Sequence, residues 1–384
     1  MKKQTIIKLF SIFLIVTLFG QSVQAFNTVE SEQLETAQLV TSLIDRLQTA
    51  DGHIPDDFTK DEMDLFLAEA DPEVVADILN DIAENAEPVP MPCEMTVSKT
   101  AQNRSETYTE YNPETGIEIT HSFSELSNNG DNIENNFVST QDFEESFFTN
   151  ASNVVPRAYP EYWFEKSPQS YADTRSTCKL IIKTKGYGDY VGSGFLVSDD
   201  TMLTASHCIY SPDFGGWMDY MVIMPSYSDS CILGYYGNRT SSTVYVGNYH
   251  ILPSNYRGDD WGIVKLNSAY DIGYLSKITY HSNSHSNMWI RVQGYPAVNP
   301  QTGVSGNKTM YLTSGVGMTD HSDYMKDGTA KVYKGMSGGP VLTYSGSSGK
   351  YYAAGIISGY YTDTHNVIYV AFDVNLYNLI TNYS

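Results

Sequence analysis

Short apolar strands dominate the chain from about Lys179 onwards, and this pattern limits the possible folds more narrowly than any other feature. The strands are separated by Gly, Asn, Asp and Ser at the intervals typical of β-sandwiches and β-barrels. Only the last stretch, VNLYNLITNY (374–383), predicts a helix, and it is short. Residues 154–384 are numerous enough for two small antiparallel barrels, each with its own core. The strand segments are KLIIKT, SGFLVS, TMLTA, YMVIMP, STVYVG, WGIVKL, MWIRVQGY, TMYLTSG, GPVLTY, YYAAGIIS and IYVAF.

The net charge of -22 is spread unevenly over the 384 residues. Residues 26–153 carry 28 acidic and 4 basic side chains, whereas residues 154–384 carry 17 and 16. Glycine changes at the same place, with 3 in residues 26–153 and 25 afterwards. Both compositions predict a domain boundary near residue 153. The chain has no basic footprint of the kind that nucleic-acid binders carry, so a nucleic-acid partner is not expected.

Residues 1–25 have the features of a signal peptide. Lys2, Lys3 and Lys8 lead into the apolar run 9–19, and small residues follow at 23–25. Eleven apolar residues are too few to span a bilayer, which needs about 20, although an N-terminal membrane anchor is the alternative. No later run approaches that length, so we expect a secreted protein without a membrane span.

Four cysteines, Cys93, Cys178, Cys208 and Cys231, allow three pairings, and the sequence does not choose among them. Export permits disulfides. The local option joins Cys208 to Cys231 and leaves Cys93 and Cys178 either free or joined across the residue-153 boundary. Neither CxxC nor HExxH spacing occurs, so neither a metal site nor a cofactor is expected.

The acidic segment 26–153 is predicted to be helical over 28–86, with interruptions at Gly52 and Pro55. The pair Asp71-Pro72 is a good cap and first-turn combination for the last helical stretch. Within 94–150, the alternating pieces ETYTEY and IEITHSF predict a few strands. Two interpretations are open: an acidic helical linker or a propeptide.

Three short motifs lie within the β-rich part of the chain. TASHC contains His207 after an apolar strand, DDWGIVKL contains Asp260 before another, and GMSGGP contains Ser337 in a glycine-rich turn. Their order along the chain is His, Asp, Ser, the order of the chymotrypsin arrangement rather than that of subtilisin or the α/β-hydrolases.

Each residue has a role in acyl transfer. A serine hydroxyl needs a neighbouring base, so Ser337 is the candidate nucleophile and His207 the candidate base. Asp260 would orient the imidazole, and the amides of Gly335 and Ser337 would form an oxyanion hole. Individually, a barrel histidine, a strand-end aspartate and a glycine turn are common. Together, in this order and after an export signal, they predict a serine endopeptidase acting through an acyl-enzyme.

These motifs resemble those of the trypsin/chymotrypsin-fold serine peptidases. SGFLVSDDTMLTASHCIY, VQGYP and the C-terminal helix resemble more closely the secreted bacterial glutamyl endopeptidase branch. The resemblance covers residues 154–384. It implies two six-stranded antiparallel barrels, at about 154–275 and 276–384, with the site between them. It also implies an acidic propeptide, 26–153, whose removal near residue 154 converts an inactive precursor; Arg157 is a competing cut site.

The chain departs from the family pattern at several places. Met336 stands where animal digestive members have an aspartate, and the family's usual disulfide partner for Cys208 is missing from VGSGF (191–195). By resemblance, the primary pocket would be lined by Lys331, Val332, Ile357, Ser358 and Gly359, with Ser358 supporting the triad aspartate. Glutamate-specific members have a histidine in place of Ile357 and a Ser or Thr in place of Val332.

Preference for acidic substrates through Lys331 is therefore a hypothesis, and a solvated loop lysine is its alternative. A peptidase with non-acidic preference and a catalytically silent binding barrel are the competing functions. The expected partners are protein or peptide substrates and the chain's own propeptide, with a monomeric state. We also hypothesise that the acidic segment blocks a basic rim containing Lys331 and Lys334.

Overall fold

The computed structural model describes ten stretches of the chain. They are residues 23–91, 105–126, 162–165, 172–228, 236–248, 257–275, 288–303, 308–320, 324–345 and 350–384. Residues 1–22 of the predicted signal peptide (1–25), the predicted cut sites near residues 154 and 157, and Cys93 and Cys231 lie outside these residues.

Three helices form most of the N-terminal region: α1 (Val23–Thr49), α2 (Lys60–Glu69) and α3 (Pro72–Asn85). The predicted breaks occur where expected, because the chain between α1 and α2 contains Gly52 at φ 78°. Asp71 caps α3 by accepting a hydrogen bond from the Glu73 amide, with Pro72 in the first turn. The short strand β1 (Glu87–Pro88) follows α3 directly.

The segment after β1 contributes a hairpin to the first barrel. Its strands are β2 (Thr107–Asn112) and β3 (Ile117–Ser122), followed by a single turn of helix, α4 (Phe123–Leu126). These strands match the two alternating sequence pieces. They do not form a separate unit, however, because β2 pairs with the first-barrel strand β11 (Arg239–Gly247).

Among the described residues, six strands close into the first barrel in the order β10-β5-β6-β7-β12-β11, with β11 pairing back to β10. The short antiparallel pair β8–β9 lies outside this ring. A helical turn, α5 (Ala172–Arg175), precedes the first strand of the ring, β5, along the chain. The strands in this part of the chain are β4 (Tyr162–Glu165), β5 (Thr177–Thr184), β6 (Gly188–Leu196), β7 (Thr201–Thr204), β8 (Tyr210–Ser211), β9 (Gly216–Trp217), β10 (Tyr220–Pro225), β11 (Arg239–Gly247) and β12 (Gly262–Leu266).

The second described ring has the order β13-β16-β17-β18-β15-β14, and β14 pairs back to β13. The C-terminal helix α6 (Val374–Tyr383) begins at Asp373, whose carboxylate accepts a hydrogen bond from the Leu376 amide. The prediction of two six-stranded barrels with one short terminal helix is therefore confirmed. The strands are β13 (Trp289–Gly294), β14 (Met310–Asp320), β15 (Met325–Lys331), β16 (Pro340–Ser345), β17 (Lys350–Tyr360) and β18 (Asn366–Ala371).

One strand pairs with the second barrel although its residues fall within the range 154–275. β4 belongs to the stretch assigned to the first barrel, but it pairs antiparallel with β14 of the second. Strand pairing depends on where backbone donors and acceptors meet in space, which strand pattern along the chain does not report.

The N-terminal helices pack against the outside of the barrels. Apolar residues of α1, α2 and α3, among them Leu43, Phe66 and Ile82, share one buried cluster with barrel residues such as Val222 and Leu312. Each fully buried side chain of this size contributes roughly 1.5–3 kcal/mol. The acidic side chains of these helices lie mainly on the solvent side, which reconciles high charge with a packed interface.

Candidate active site

Antiparallel pairing of β7 with β12 brings His207 and Asp260 together. Gly262 at the start of β12 is opposite Thr204 at the end of β7. Asp260, two residues before β12, and the turn just after β7 therefore lie at the same end of the barrel. His207 lies in the 3₁₀ turn Ser206–Cys208, and both His207 and Asp260 are fully buried.

The Asp260 carboxylate is held by several hydrogen bonds. Its two oxygens lie 2.9 and 2.8 Å from His207 Nδ1. Further donors are the His207 amide at 3.1 Å and the hydroxyls of Ser206 at 3.0 Å and Ser358 at 2.5 Å. Burial raises the pKa of this carboxyl, but the charge of His207 and these hydrogen bonds outweigh burial, so the pKa lies below its usual value. Asp260 is built to remain ionised.

Ser337 lies in the turn between β15 and β16, and two glycines allow that turn to approach its neighbours. Gly338 has φ 82°, and a Cβ there would lie 2.1 Å from Thr204 Oγ1 and 2.3 Å from the Ser193 carbonyl oxygen. Gly335 has φ 94°, and its Cβ would lie 2.6 Å from the Tyr295 carbonyl oxygen. The turn thus packs directly on the strand that leads to His207.

Ser193 on β6 joins this turn to the first barrel. Its amide donates to the Ser337 carbonyl oxygen at 2.9 Å, and its hydroxyl donates to the Gly335 carbonyl oxygen at 2.8 Å. The same hydroxyl accepts from the Tyr295 amide at 2.9 Å. Sequence reasoning did not identify Ser193 or Ser206 as site residues. The available signal was a serine between two glycines inside a buried strand, in VGSGF.

Within the described residues, the amides of Gly335 and Ser337 donate no hydrogen bond, so both are free to receive an oxyanion. Ser337 Oγ and His207 Nε2 are also buried and without a hydrogen-bond partner in that part of the chain. The Ser337–His207 hydrogen bond is therefore not formed in this structure. Such bonds are often long before substrate binds.

The pocket residues inferred by resemblance do not all come together. Ile357 exchanges backbone hydrogen bonds at 2.9 Å with Gly338 and Gly339, next to Ser337, and Val332 is fully buried in the same hydrophobic cluster. Ser358 is engaged with Asp260, and Gly359 lies at a bulge in β17.

Lys331 is directed elsewhere. Its ammonium donates to the Thr364 carbonyl oxygen at 2.8 Å and to Asn366 Oδ1 at 2.6 Å. Within the described residues, no acidic side chain of the N-terminal region forms an ion pair with Lys331 or with Lys334. The acids of that region contact Lys183 and Lys308 instead, through Asp56 and Glu84.

Cys178 and Cys208 are both buried free thiols, so the local pairing of Cys208 with Cys231 is not present. Burial raises the pKa of both thiols. Among the described residues, no group of three or more His, Cys, Asp or Glu side chains is arranged to hold a metal ion. In the same residues, the structure contains no helix with the length and apolarity needed to cross a membrane.

Residues 192–348 match the family model described as "Trypsin-like peptidase domain". The curated "Extracellular metalloprotease" of Bacillus subtilis (strain 168) is 32% identical over 127 residues, which are 32% of this chain and 39% of that protein. The chain thus spans about two fifths of the length of the curated relative it matches.

Solved structures with a similar fold include a Glu endopeptidase in complex with MPD, at 17% identity and TM-score 0.48, covering 59% of this chain and 97% of that one. Protease Anisep from Arthrobacter nicotinovorans has 20% identity and TM-score 0.43, with 55% and 93% covered. The thermostable serine protease AL20 from an extremophilic microorganism has 19% identity and TM-score 0.42, with 56% and 100% covered.

Proposed function

We propose that this chain is a secreted serine endopeptidase that is made as an inactive precursor, because residues 192–348 match the family model described as "Trypsin-like peptidase domain". The observation that carries the proposal is the buried His207–Asp260 pair, 2.8 Å apart, beside a turn that presents Ser337 and two unengaged amides. Ser337 Oγ and His207 Nε2 are buried without partners, which costs stability and therefore favours a catalytic role for them.

In the proposed mechanism, Ser337 Oγ attacks the carbonyl carbon of the scissile peptide while His207 Nε2 accepts the hydroxyl proton. Asp260 keeps the second proton on Nδ1 and stabilises the imidazolium. The amides of Gly335 and Ser337 stabilise the negative oxygen of the tetrahedral intermediate. His207 then protonates the leaving amine. A water molecule, activated by the same imidazole, hydrolyses the acyl-enzyme and regenerates Ser337.

Export and precursor processing are supported by composition. Residues 1–25 combine lysines with a short apolar run, and nearly all the excess acid lies in residues 26–153. The curated relative is named "Extracellular metalloprotease". We propose that residues 1–25 are the signal peptide, that residues 26–153 are the propeptide, and that cleavage near residue 154 yields the enzyme.

A fluorophosphonate probe tests the proposed chemistry, because it labels only an activated serine. The secreted product of the full chain should be labelled at Ser337, and the Ser337→Ala variant should not. A folded but unlabelled product would instead support a silent binding barrel. N-terminal sequencing of the same material tests processing: a start near residue 154 supports the propeptide, whereas a start near residue 26 contradicts it.

A further inference from the structure

Residues 87–91, which we call the cleft segment, connect α3 to the junction between the two barrels. Glu87 and Pro88 pair in parallel with Tyr190 and Val191 of β6. The Val89 amide donates to the Val191 carbonyl oxygen at 3.0 Å. The cleft segment is thus an added strand on the barrel that carries the candidate histidine.

Its two apolar side chains lie in different cores. Val89 is fully buried in a cluster that contains residues of both barrels, among them Cys208, the residue after His207. Met91 is 5% exposed and belongs to the second-barrel cluster, which contains Met336, Val332 and Ile357. Two residues of extended chain span only about 7 Å. The cleft segment therefore crosses from one barrel to the other over that short distance.

This crossing takes place beside Ser337. Val191 is bonded to the cleft segment and precedes Gly192, where a Cβ would lie 3.7 Å from the Ser337 carbonyl oxygen. The next residue, Ser193, donates its amide to that same carbonyl oxygen. Met91, two residues beyond Val89, belongs to the same hydrophobic cluster as Met336, the residue before Ser337.

The candidate active site, which contains Ser337 and His207, is closed to solvent. Ser337 and His207 are both 0% exposed, although a nucleophile must be reached by its substrate. Their unpartnered Oγ and Nε2 atoms make this closure costly, because buried polar groups without hydrogen bonds destabilise a fold. The apolar contacts of Val89 and Met91 offset that cost.

Resting on the proposed function, we propose that the cleft segment is a built-in inhibitor and that Met91 fills the primary side-chain pocket. The pocket accordingly takes apolar side chains that are not branched at Cβ, such as Met or Leu. Val332, Met336 and Ile357, all fully buried, supply apolar surface around it. The ammonium of Lys331 is bound to Thr364 and Asn366. Inhibition is therefore apolar in origin, not an acid–base contact.

The test uses the uncut full-length chain and measures the rate of fluorophosphonate labelling. The wild-type chain should be labelled slowly, and the Met91→Leu variant should be labelled at the same rate. Met91→Asp should react about tenfold faster or more, because an ionised carboxylate is expelled from an apolar pocket. Glu87→Gln, at an exposed position of the same segment, is the matched control and should match wild type. Met91→Ala also removes the side chain that is proposed to fill the pocket. This second variant is measured in case Met91→Asp does not fold.

The outcomes separate the two proposals. If the secreted, processed protein is unlabelled, the serine peptidase function fails. If it is labelled but neither Met91→Asp nor Met91→Ala accelerates labelling of the uncut chain, the inhibitor is not Met91. The processed protein should also cleave a peptide library preferentially after Met or Leu, and a preference for Glu or Asp would overturn the pocket assignment.

Discussion

The hydroxyl of Ser193 donates a hydrogen bond to the carbonyl oxygen of Gly335 at 2.8 Å, which links a first-barrel strand to the turn that carries Ser337. The same serine binds the Ser337 carbonyl oxygen through its amide. Orientation of the two candidate oxyanion-hole amides thus depends on a residue of the opposite barrel.

Ser193→Ala should lower kcat by about 10- to 100-fold with little change in KM, because the Gly335 peptide loses its anchor and small displacements are costly in rate. Steady-state kinetics on a peptide substrate would measure this. Ser198→Ala, which removes a hydroxyl bonded to Asp200 away from the turn, is the control. Unchanged kcat in Ser193→Ala would contradict the anchoring role.

Gly338→Ala should abolish activity and destabilise the fold, since its Cβ would collide with Thr204 and Ser193. The Gly303→Ala variant is the control that separates the effect of this steric collision from the effect of backbone strain at positive φ. Gly303 also has positive φ, 70°, but has open space around it. We expect Gly303→Ala to lose at most about 1–2 kcal/mol of unfolding free energy and to keep its activity. Equal losses in the two variants would show that backbone strain alone is responsible.

Asp260→Asn should reduce kcat about 10⁴-fold, because a neutral amide no longer holds the required imidazole tautomer. The pH dependence of the free energy of unfolding provides a second test of the role of Asp260. In the folded chain, the pKa of the Asp260 carboxyl lies below its usual value. The ionised group therefore stabilises the fold fully above the pKa that it has in the unfolded chain. This contribution is lost as the pH falls through the pKa of the folded chain. Denaturant unfolding should show the difference between wild type and Asp260→Asn shrinking below about pH 4. A pH-independent difference would refute this.

Lys183 and Asp189 form a buried pair, 3.4 Å apart, that also binds the backbone of Ile54 in the N-terminal region. Lys183→Met should lower the free energy of unfolding by about 3–5 kcal/mol, because the Asp189 carboxylate is left buried without its cation.

Lys183→Met/Asp189→Asn should recover most of this loss, since the amide oxygen still accepts from Ile54. Lys60→Met, which breaks an i,i+4 pair with Asp64, should cost less than about 1 kcal/mol. If the double variant is as unstable as Lys183→Met, the unpaired charge is not the cause.

Cys178 and Cys208 should resist alkylation in the native protein near neutral pH, because their raised pKa and burial leave almost no accessible thiolate. Mass spectrometry after iodoacetamide treatment, with and without denaturant, measures this. Both residues should be modified only in the denatured chain. Detection of a disulfide that involves Cys208 would be the contrary result.

Much of the candidate site was predictable from local sequence. His207, Asp260 and Ser337 each lie in a short motif beside a strand, and their order along the chain indicated one arrangement of roles. The glycines around Ser337 indicated a tight turn. Ser193 was not predicted, because a serine in a buried strand has no local pattern that reveals a partner 142 residues away.

Residue types, their periodicity and their order determined the barrels, the terminal helix, the helical N-terminal region and the three chemical groups. These features are local or repeat along the chain, and hydrophobic periodicity is legible without three-dimensional contacts. Tertiary structure alone decided that β4 pairs with the second barrel, that the Lys331 ammonium binds Thr364 and Asn366, and that Met91 packs in one cluster with Met336. Each depends on which surfaces meet after the chain has folded, and distant backbone and side-chain partners leave no trace in local sequence.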